Sequence, residues 1–217
     1  MEFIDIPTEQ TTAVTDAILA VIAIAAATYL HRISQKNRWK TFLWVWVFGL
    51  LALASVLGAI AHGFKMSKAF QTFLWHPLYF SLGVLGALFV VAVVYDIWGK
   101  GIARRALPIM VAIGVGFFGI TLVWPDNFLV FIIYEAVAML FALLGYIWIA
   151  YRGRLEGAWL MAVGIFTTII AAGIQASHAF SLTFVWSFDH NGVYHLFQMA
   201  GIVLLVAGLR KALLSRV

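Results

Sequence analysis

The residues of this chain best suited to chemistry are its histidines and a few polar side chains within apolar sequence. The 217 residues include 6 His and no Cys, which excludes thiolate nucleophiles, disulfides and cysteine-ligated metals. Without thiolates, zinc takes imidazole and carboxylate ligands, and a catalytic zinc site uses three of them with a water. We expect His62 and His195 to be ligands, with a third from His76, His190, His178 or a carboxylate.

Three other polar residues lie inside apolar runs and are the candidate catalytic residues. Asp16 falls about one turn into the first run and Glu135 about two turns into the fifth. Ionisable groups are costly there and usually serve a site or a pathway, so both are candidates for a general acid or base. Ser55 lies seven residues before His62 on the same helix face, about 10 Å deeper. We expect Ser55 to orient a water or donate to an oxyanion.

Helical spacing brings further polar residues onto shared faces. Asn191, His195 and Gln198 follow an i, i+4, i+7 pattern and predict one polar stripe on an apolar helix. His190 joins that stripe only if the chain is still a loop there. Gly58, four residues before His62, lets another helix or a ligand approach that face.

Each of these residues also has a structural interpretation. His76 and His178 are compatible with interfacial positions, and His190 with a solvated loop. Asp16 is compatible with a first-turn acid that complements the helix dipole. His62 and His195 are compatible with a hydrogen-bonded core.

The composition is that of a polytopic membrane protein. Hydrophobic residues make up 64% of the chain and charged residues 11%, whereas a soluble domain carries about 25% charged residues. About 20 apolar residues cross a bilayer as a helix. We therefore predict an all-α bundle of seven transmembrane helices, a single domain over residues 1–217. The predicted spans are residues 12–30, 39–62, 70–98, 107–123, 128–151, 157–180 and 191–214.

Residues near the span ends fit these boundaries. Pro77 and Pro108 are expected in the first turns of the third and fourth helices, where a missing N–H costs little, and Pro125 separates the fourth from the fifth. Asp96 is expected to be an interfacial charge near Lys100.

Basic residues are distributed unevenly about these spans. Twelve of the 14 Lys and Arg fall on one side, and only Lys65 and Lys68 fall opposite. The positive-inside rule predicts an outer N-terminus and a cytoplasmic C-terminus, which places all histidines except His31 at the outer leaflet. The basic residues sit in short loops beside the bilayer, so no nucleic-acid partner is expected. We expect an integral protein of the plasma or inner membrane, and the sequence indicates no oligomeric state.

One motif match has the wrong context. Gly114, Gly116 and Gly119 fit G-x-G-x-x-G, but they lie inside a span with no preceding strand, so a dinucleotide site is excluded. We expect these glycines to be helix-packing positions.

Two segments resemble elements of the CREST superfamily of seven-helix membrane hydrolases, which includes the alkaline ceramidases. The segment from Ser55 to His62 resembles its helix-two element, with the serine seven rather than four residues before the histidine. The segment from Asn191 to Gln198 resembles its helix-seven H-x-x-x-H element, with Asn191 in the first histidine position. The resemblance implies a zinc-dependent hydrolase of a lipid amide or ester with an outer N-terminus. Three alternatives stay open, namely a proton- or ion-coupled transporter, a haem protein with His62 and His195 as axial ligands, and a non-catalytic receptor or membrane subunit.

Overall fold

The structure is a bundle of apolar helices, as the composition predicts. The computed structural model describes residues 2–33, 37–124, 128–177 and 179–215. Within these ranges, seven helices are long and apolar enough to cross a membrane, which confirms the all-α prediction at that level. The helices are α1 Pro7–Ile33, α2 Arg38–Gly63, α3 Lys68–Trp98, α4 Lys100–Val123, α5 Phe128–Tyr151, α6 Ala158–Ser177 and α7 His190–Leu214.

A short hairpin that the sequence did not predict joins α6 to α7. Its strands are β1, Leu182–Thr183, and β2, Ser187–Phe188, and they pair antiparallel. Hydropathy over this region extended the sixth span to residue 180, because Phe180 and Leu182 are apolar. The helix instead ends at Ser177, and both of these side chains are exposed.

The helices also begin earlier than predicted at two places. α1 starts at Pro7, and α4 starts at Lys100 rather than at residue 107. Only Gly99 separates α3 from α4, and its φ of +84° is a conformation that glycine adopts without strain. Hydropathy assigned the charged residues around Arg104 to a loop, although a helix can continue past the hydrocarbon with its charges at the interface.

The placement of two prolines was therefore wrong. Pro77 and Pro108 lie inside α3 and α4, several residues beyond the first turn. Membrane helices tolerate proline because neighbouring groups satisfy the freed backbone atoms. The hydroxyl of Ser81 donates to the carbonyl oxygen of Pro77 at 2.7 Å, so the carbonyl group of this proline has a side-chain hydrogen-bond partner.

Close packing between helices relies on glycine at several positions. A Cβ added to Gly114 would lie 2.5 Å from the carbonyl oxygen of Gly83, so α3 and α4 touch backbone to backbone there. α6 and α7 meet in the same way at Gly164 and Gly201. The prediction for the α4 glycines is thus confirmed only for Gly114, because Gly116 has no described atom within 4 Å.

The end of the bundle where α2 begins and α3 and α5 end contains a buried ion pair; we call it the basic end. Nζ of Lys40 lies 2.6 Å from Oδ1 of Asp96, and each side chain is 3% exposed. The hydroxyl of Tyr146 donates to Oδ2 of Asp96 at 2.9 Å. The expectation of an interfacial Asp96 near Lys100 was wrong, since spacing along α3 does not reveal the cation that α2 supplies.

At the opposite end, where α1 and α7 begin and α2 ends, the first residues cross over α2. The backbone N–H of Ile4 donates to the carbonyl of Gly63 at 3.0 Å, and Phe3 stacks on Phe64. The hydroxyl of Thr11 in α1 donates to the carbonyl of Ser187 in the hairpin at 2.7 Å. We call this the histidine end.

The Lys40–Asp96 pair is predicted to be a major source of stability at the basic end. Lys40→Met leaves the Asp96 carboxylate buried without its cation, a change that typically costs about 3–5 kcal/mol. We expect a clearly lower unfolding temperature for the detergent-solubilised variant, measured by circular dichroism.

Two variants control this experiment. Lys100→Met removes an exposed cation at the same end and is expected to stay within about 0.5 kcal/mol of the wild type. The double variant Lys40→Met/Asp96→Leu removes both charges and should be more stable than Lys40→Met alone. Equal stability of Lys40→Met and Lys100→Met would contradict the role of the pair.

Candidate functional site

The predicted polar residues of α1, α2 and α7 surround one cavity at the histidine end. This cavity has a volume of about 290 Å³, and we call it the histidine cavity. Its apolar wall includes Leu19, Leu51, Leu82 and Phe131. The polar side chains that line it are Asp16, Ser55, His62, Gln175, His190, Asn191, Tyr194 and His195.

His195 is held by two residues of α1. Its Nδ1 lies 2.9 Å from the hydroxyl of Thr15, and its Nε2 lies 3.3 Å from Oδ1 of Asp16. His195 is 7% exposed and Asp16 is 6% exposed, so this contact lies where water is scarce. The interaction between a carboxylate and an imidazole is electrostatically stronger in such surroundings than in water. The pair therefore fixes α7 against α1.

Asp16 reaches this position because α2 carries a glycine opposite it. A Cβ added to Gly58 would lie 2.7 Å from Oδ2 of Asp16. The sequence predicted that Gly58 admits a close neighbour, and the structure confirms this. The expectation that Asp16 simply complements the helix dipole is not what the contacts show, because its carboxylate turns toward His195 and α2.

His62, at the end of α2, has a carboxylate partner of its own. Its Nδ1 lies 2.6 Å from Oε2 of Glu9, which requires a proton on Nδ1 if Glu9 is ionised. The ring meets Trp75 edge to face, with centroids 5.9 Å apart. The two side chains are partly exposed, His62 by 19% and Glu9 by 30%. Of the described contacts, none engages Nε2 of His62.

The start of α7 is fixed by Asp189. Its side chain caps the helix by accepting from the N–H groups of Asn191 and Gly192, and Thr12 of α1 donates to the same oxygen at 3.2 Å. α7 thus begins at His190. The loop that would bring His190 onto the stripe is not present, since His190 is the first helical residue; it lines the cavity from there.

The polar stripe of α7 is confirmed and extends between two cavities. Asn191 and His195 line the histidine cavity, and Oδ1 of Asn191 accepts from Gln175 of α6 at 3.2 Å. Gln198 lies one turn deeper and lines a second, smaller cavity.

Two other sequence candidates, His76 and Glu135, are placed elsewhere. His76 is exposed and packs edge to face against Phe118 of α4, with ring centroids 6.5 Å apart, away from the histidine cavity. Glu135 lines the second cavity rather than the first. His178 lies outside the described residues. Spacing along one helix places a residue on a face but does not say which neighbour covers that face.

The zinc that the resemblance implies would need three histidine or carboxylate ligands and a water. Among the described residues, no group of three or more His, Cys, Asp or Glu is arranged to hold a metal ion. Both ring nitrogens of His195 already face Thr15 and Asp16. The described donors do not form the expected site, and zinc stays a prediction for metal analysis of the purified protein.

Sequence reasoning missed several residues that define the cavity. Glu9 was not among the candidates from the sequence, although it stands seven residues before Asp16 and therefore shares its helix face. Thr12 is on nearly the same face. An acidic and hydroxyl stripe along α1 was thus readable, whereas Gln175 and Tyr194 gave no such signal.

The close approach at Gly58 leads to a prediction about stability. Gly58→Ala places a methyl group against the Asp16 carboxylate, and overpacking of this kind typically costs about 1–3 kcal/mol. We expect a lower unfolding temperature for this variant in detergent.

The matched control is Gly116→Ala in α4, where no described atom lies within 4 Å of the new methyl group. Gly116→Ala should be neutral or slightly stabilising, because alanine favours helix more than glycine does. In an Asp16→Ala background, Gly58→Ala should cost little more, since the clash is gone. If the effects of Gly58→Ala and Asp16→Ala on stability are fully additive, the two residues do not contact each other.

The comparisons with known proteins identify a family but assign no activity. No curated protein and no solved structure matches the chain. A family model matches nearly the whole bundle, from the first half of α1 to the last residue of α7. The chain belongs to the family described as "Family of unknown function (DUF6962)", whose model matches residues 11–214.

Proposed function

We propose that this protein is an integral-membrane hydrolase that cleaves an amide or ester bond of a lipid in the histidine cavity. The observation that carries the proposal is that Asp16, Ser55, His62 and His195, from three helices, line one cavity. Hydrolysis needs a base for the attacking water and a donor for the oxyanion. These side chains supply both, and the similarity of the His62 and His195 segments to the CREST elements supports the same class of reaction.

Glu9 and His62 form the base in this proposal. The carboxylate holds Nδ1 of His62 at 2.6 Å, which leaves Nε2 to accept a proton, as in other carboxylate–histidine pairs. The water oxygen attacks the carbonyl carbon of the lipid while its proton moves to Nε2. The imidazolium then returns the proton to the leaving nitrogen or oxygen, so a carboxylic acid and an amine or alcohol are released.

The other polar side chains position the substrate. The hydroxyl of Ser55, 3% exposed and facing the cavity, donates to the oxyanion. Asp16 and His195, which contact each other, and Thr15, which contacts His195, hold α1 and α7 in place around the cavity. The apolar wall around Leu51 and Phe131 is suited to the first part of an acyl chain. No step here requires the predicted zinc.

The orientation of the protein follows from its charge distribution. We propose that the basic end is cytoplasmic and the histidine end faces outward in the plasma or inner membrane, because 12 of the 14 Lys and Arg flank the cytoplasmic ends of the predicted spans. An amphiphile in the outer leaflet then reaches His62 without crossing the bilayer.

Coupled transport is less well supported than hydrolysis. A carrier needs polar groups through the full thickness of the membrane. On the face of α5 that continues from Glu135 toward Tyr146, the next residues are the buried Ala138, Met139 and Ala142. They separate Glu135 from Tyr146 by about 16 Å of apolar packing.

The orientation is tested by protease accessibility on intact cells. A tag placed after residue 217 should be protected, and a tag placed before residue 2 should be cleaved. A cleaved C-terminal tag with an intact membrane would contradict the orientation and the leaflet assigned to the site.

The hydrolase is tested by release of fatty acid from a panel of N-acyl and O-acyl lipids in vesicles, measured by mass spectrometry. His62→Ala removes the base and should lower the rate about 10²–10⁴-fold. Asp16→Asn and His195→Ala should lower it by about tenfold or more, the typical effect of losing a hydrogen bond to a charged group.

His31→Ala, at the basic end, is the matched control and should keep the wild-type rate. Unfolding temperatures of all variants separate loss of chemistry from loss of fold. A folded wild-type protein that releases no fatty acid from any lipid of the panel would reject the proposal.

A further inference from the structure

The second cavity lies deeper in the bundle and adjoins the first. It has a volume of about 70 Å³, and we call it the glutamate cavity because Glu135 of α5 lines it. It shares four wall residues with the histidine cavity, namely Leu51, Leu82, Phe131 and Tyr194. A cavity needs only about 10–15 Å³ of such space to hold a water. The glutamate cavity therefore has room for a few waters next to Tyr194.

Two hydroxyl groups of this cavity are already engaged by backbone carbonyl groups. The hydroxyl of Tyr134 already donates to the carbonyl of Gly83 at 2.7 Å, and that of Thr168 to Gly164 at 3.2 Å. Gln198 is 8% exposed, and its Oε1 has no hydrogen-bond partner within the described part of the chain. An unpaired buried acceptor of this kind is costly. Besides water, the described groups of this cavity that can donate to it are the hydroxyl of Tyr194 and a protonated Glu135.

The surroundings of Glu135 offer no cation to balance a carboxylate. α2, α3 and α6 face the cavity with apolar side chains and Thr168, and the titratable neighbours on α5 and α7 are the phenols of Tyr134 and Tyr194. The nearest imidazole, that of His195, lines the adjoining cavity with Asp16. Among the described residues that line the glutamate cavity there is no Lys, Arg or His. An unpaired charge in such a place is strongly disfavoured.

We propose that Glu135 and Gln198 form a proton-binding site inside the membrane. Glu135 carries the proton, and its O–H donates toward Oε1 of Gln198 through water held in the cavity. The proton arrives from water in the histidine cavity past Tyr194, and when it leaves by the same route the Glu135 carboxylate is restored. Neither Glu135 nor Gln198 is among the residues assigned to hydrolysis, so this site is separate from the proposed function.

The site adjoins the histidine cavity through the wall residues that the two cavities share. The buried Ala138, Met139 and Ala142 close the route along α5 toward the basic end. Glu135 therefore binds a proton from the histidine end without conducting it across the membrane.

The test uses dicyclohexylcarbodiimide, an apolar reagent that reacts with protonated carboxyl groups in membranes. Full-length protein in lipid nanodiscs is treated and digested, and the adduct is located by mass spectrometry. We expect an adduct at Glu135, its complete loss in Glu135→Gln, and no adduct at Glu156, which is exposed to water near the basic end. No adduct at Glu135 in folded protein, or protection of Glu135 by added sodium ions, would overturn the proton site.

Infrared spectroscopy gives a second readout that does not need the reagent. The carbonyl stretch of a protonated carboxyl should be present in the wild type, absent in Glu135→Gln, and shifted to higher frequency in Gln198→Leu, which removes the acceptor. A spectrum unchanged by Glu135→Gln would also overturn the proposal. If the adduct forms but no lipid of the panel is hydrolysed, the hydrolase proposal fails and the proton site stands.

Discussion

The contact of Asp16 with the bare backbone of Gly58 is the constraint on which the histidine end depends. Hydrocarbon offers no water to a buried carboxylate, so Asp16 must be satisfied by protein groups. α1 lies close enough to α2 for its Oδ2 to fill the space of a missing methyl group, while Oδ1 faces His195. One side chain thus sets the positions of the first, second and last helices.

The two ends of the bundle treat buried charge in opposite ways. At the basic end, Lys40, Asp96 and Tyr146 satisfy one another, which suits a structural clamp. At the histidine end the polar groups border a space of about 290 Å³, and one nitrogen of His62 faces no described partner. Complete pairing stabilises a fold, whereas incomplete pairing next to a cavity is what a site for small molecules requires.

The sequence was sufficient for the helices and for half of the site. Hydropathy located seven helices, and helical spacing correctly placed Asn191, His195 and Gln198 on one face. Helical spacing did not predict contacts that depend on a neighbouring helix. The partner of Asp96 comes from another helix, and Glu135 faces a separate cavity. The start of α4 was also predicted too late. Hydropathy indicates which residues lie in hydrocarbon, not how far a helix continues beyond it.

The contact between Thr15 and His195 joins residues 180 positions apart in the chain, which has a consequence for biosynthesis. At about 5–20 residues per second, α7 leaves the ribosome roughly 10–40 s after α1. During that interval Asp16 lies in or beside the bilayer without the imidazole that later faces it. α1 therefore depends on the insertion machinery during this interval, and its polar face is completed only when α7 has been synthesised.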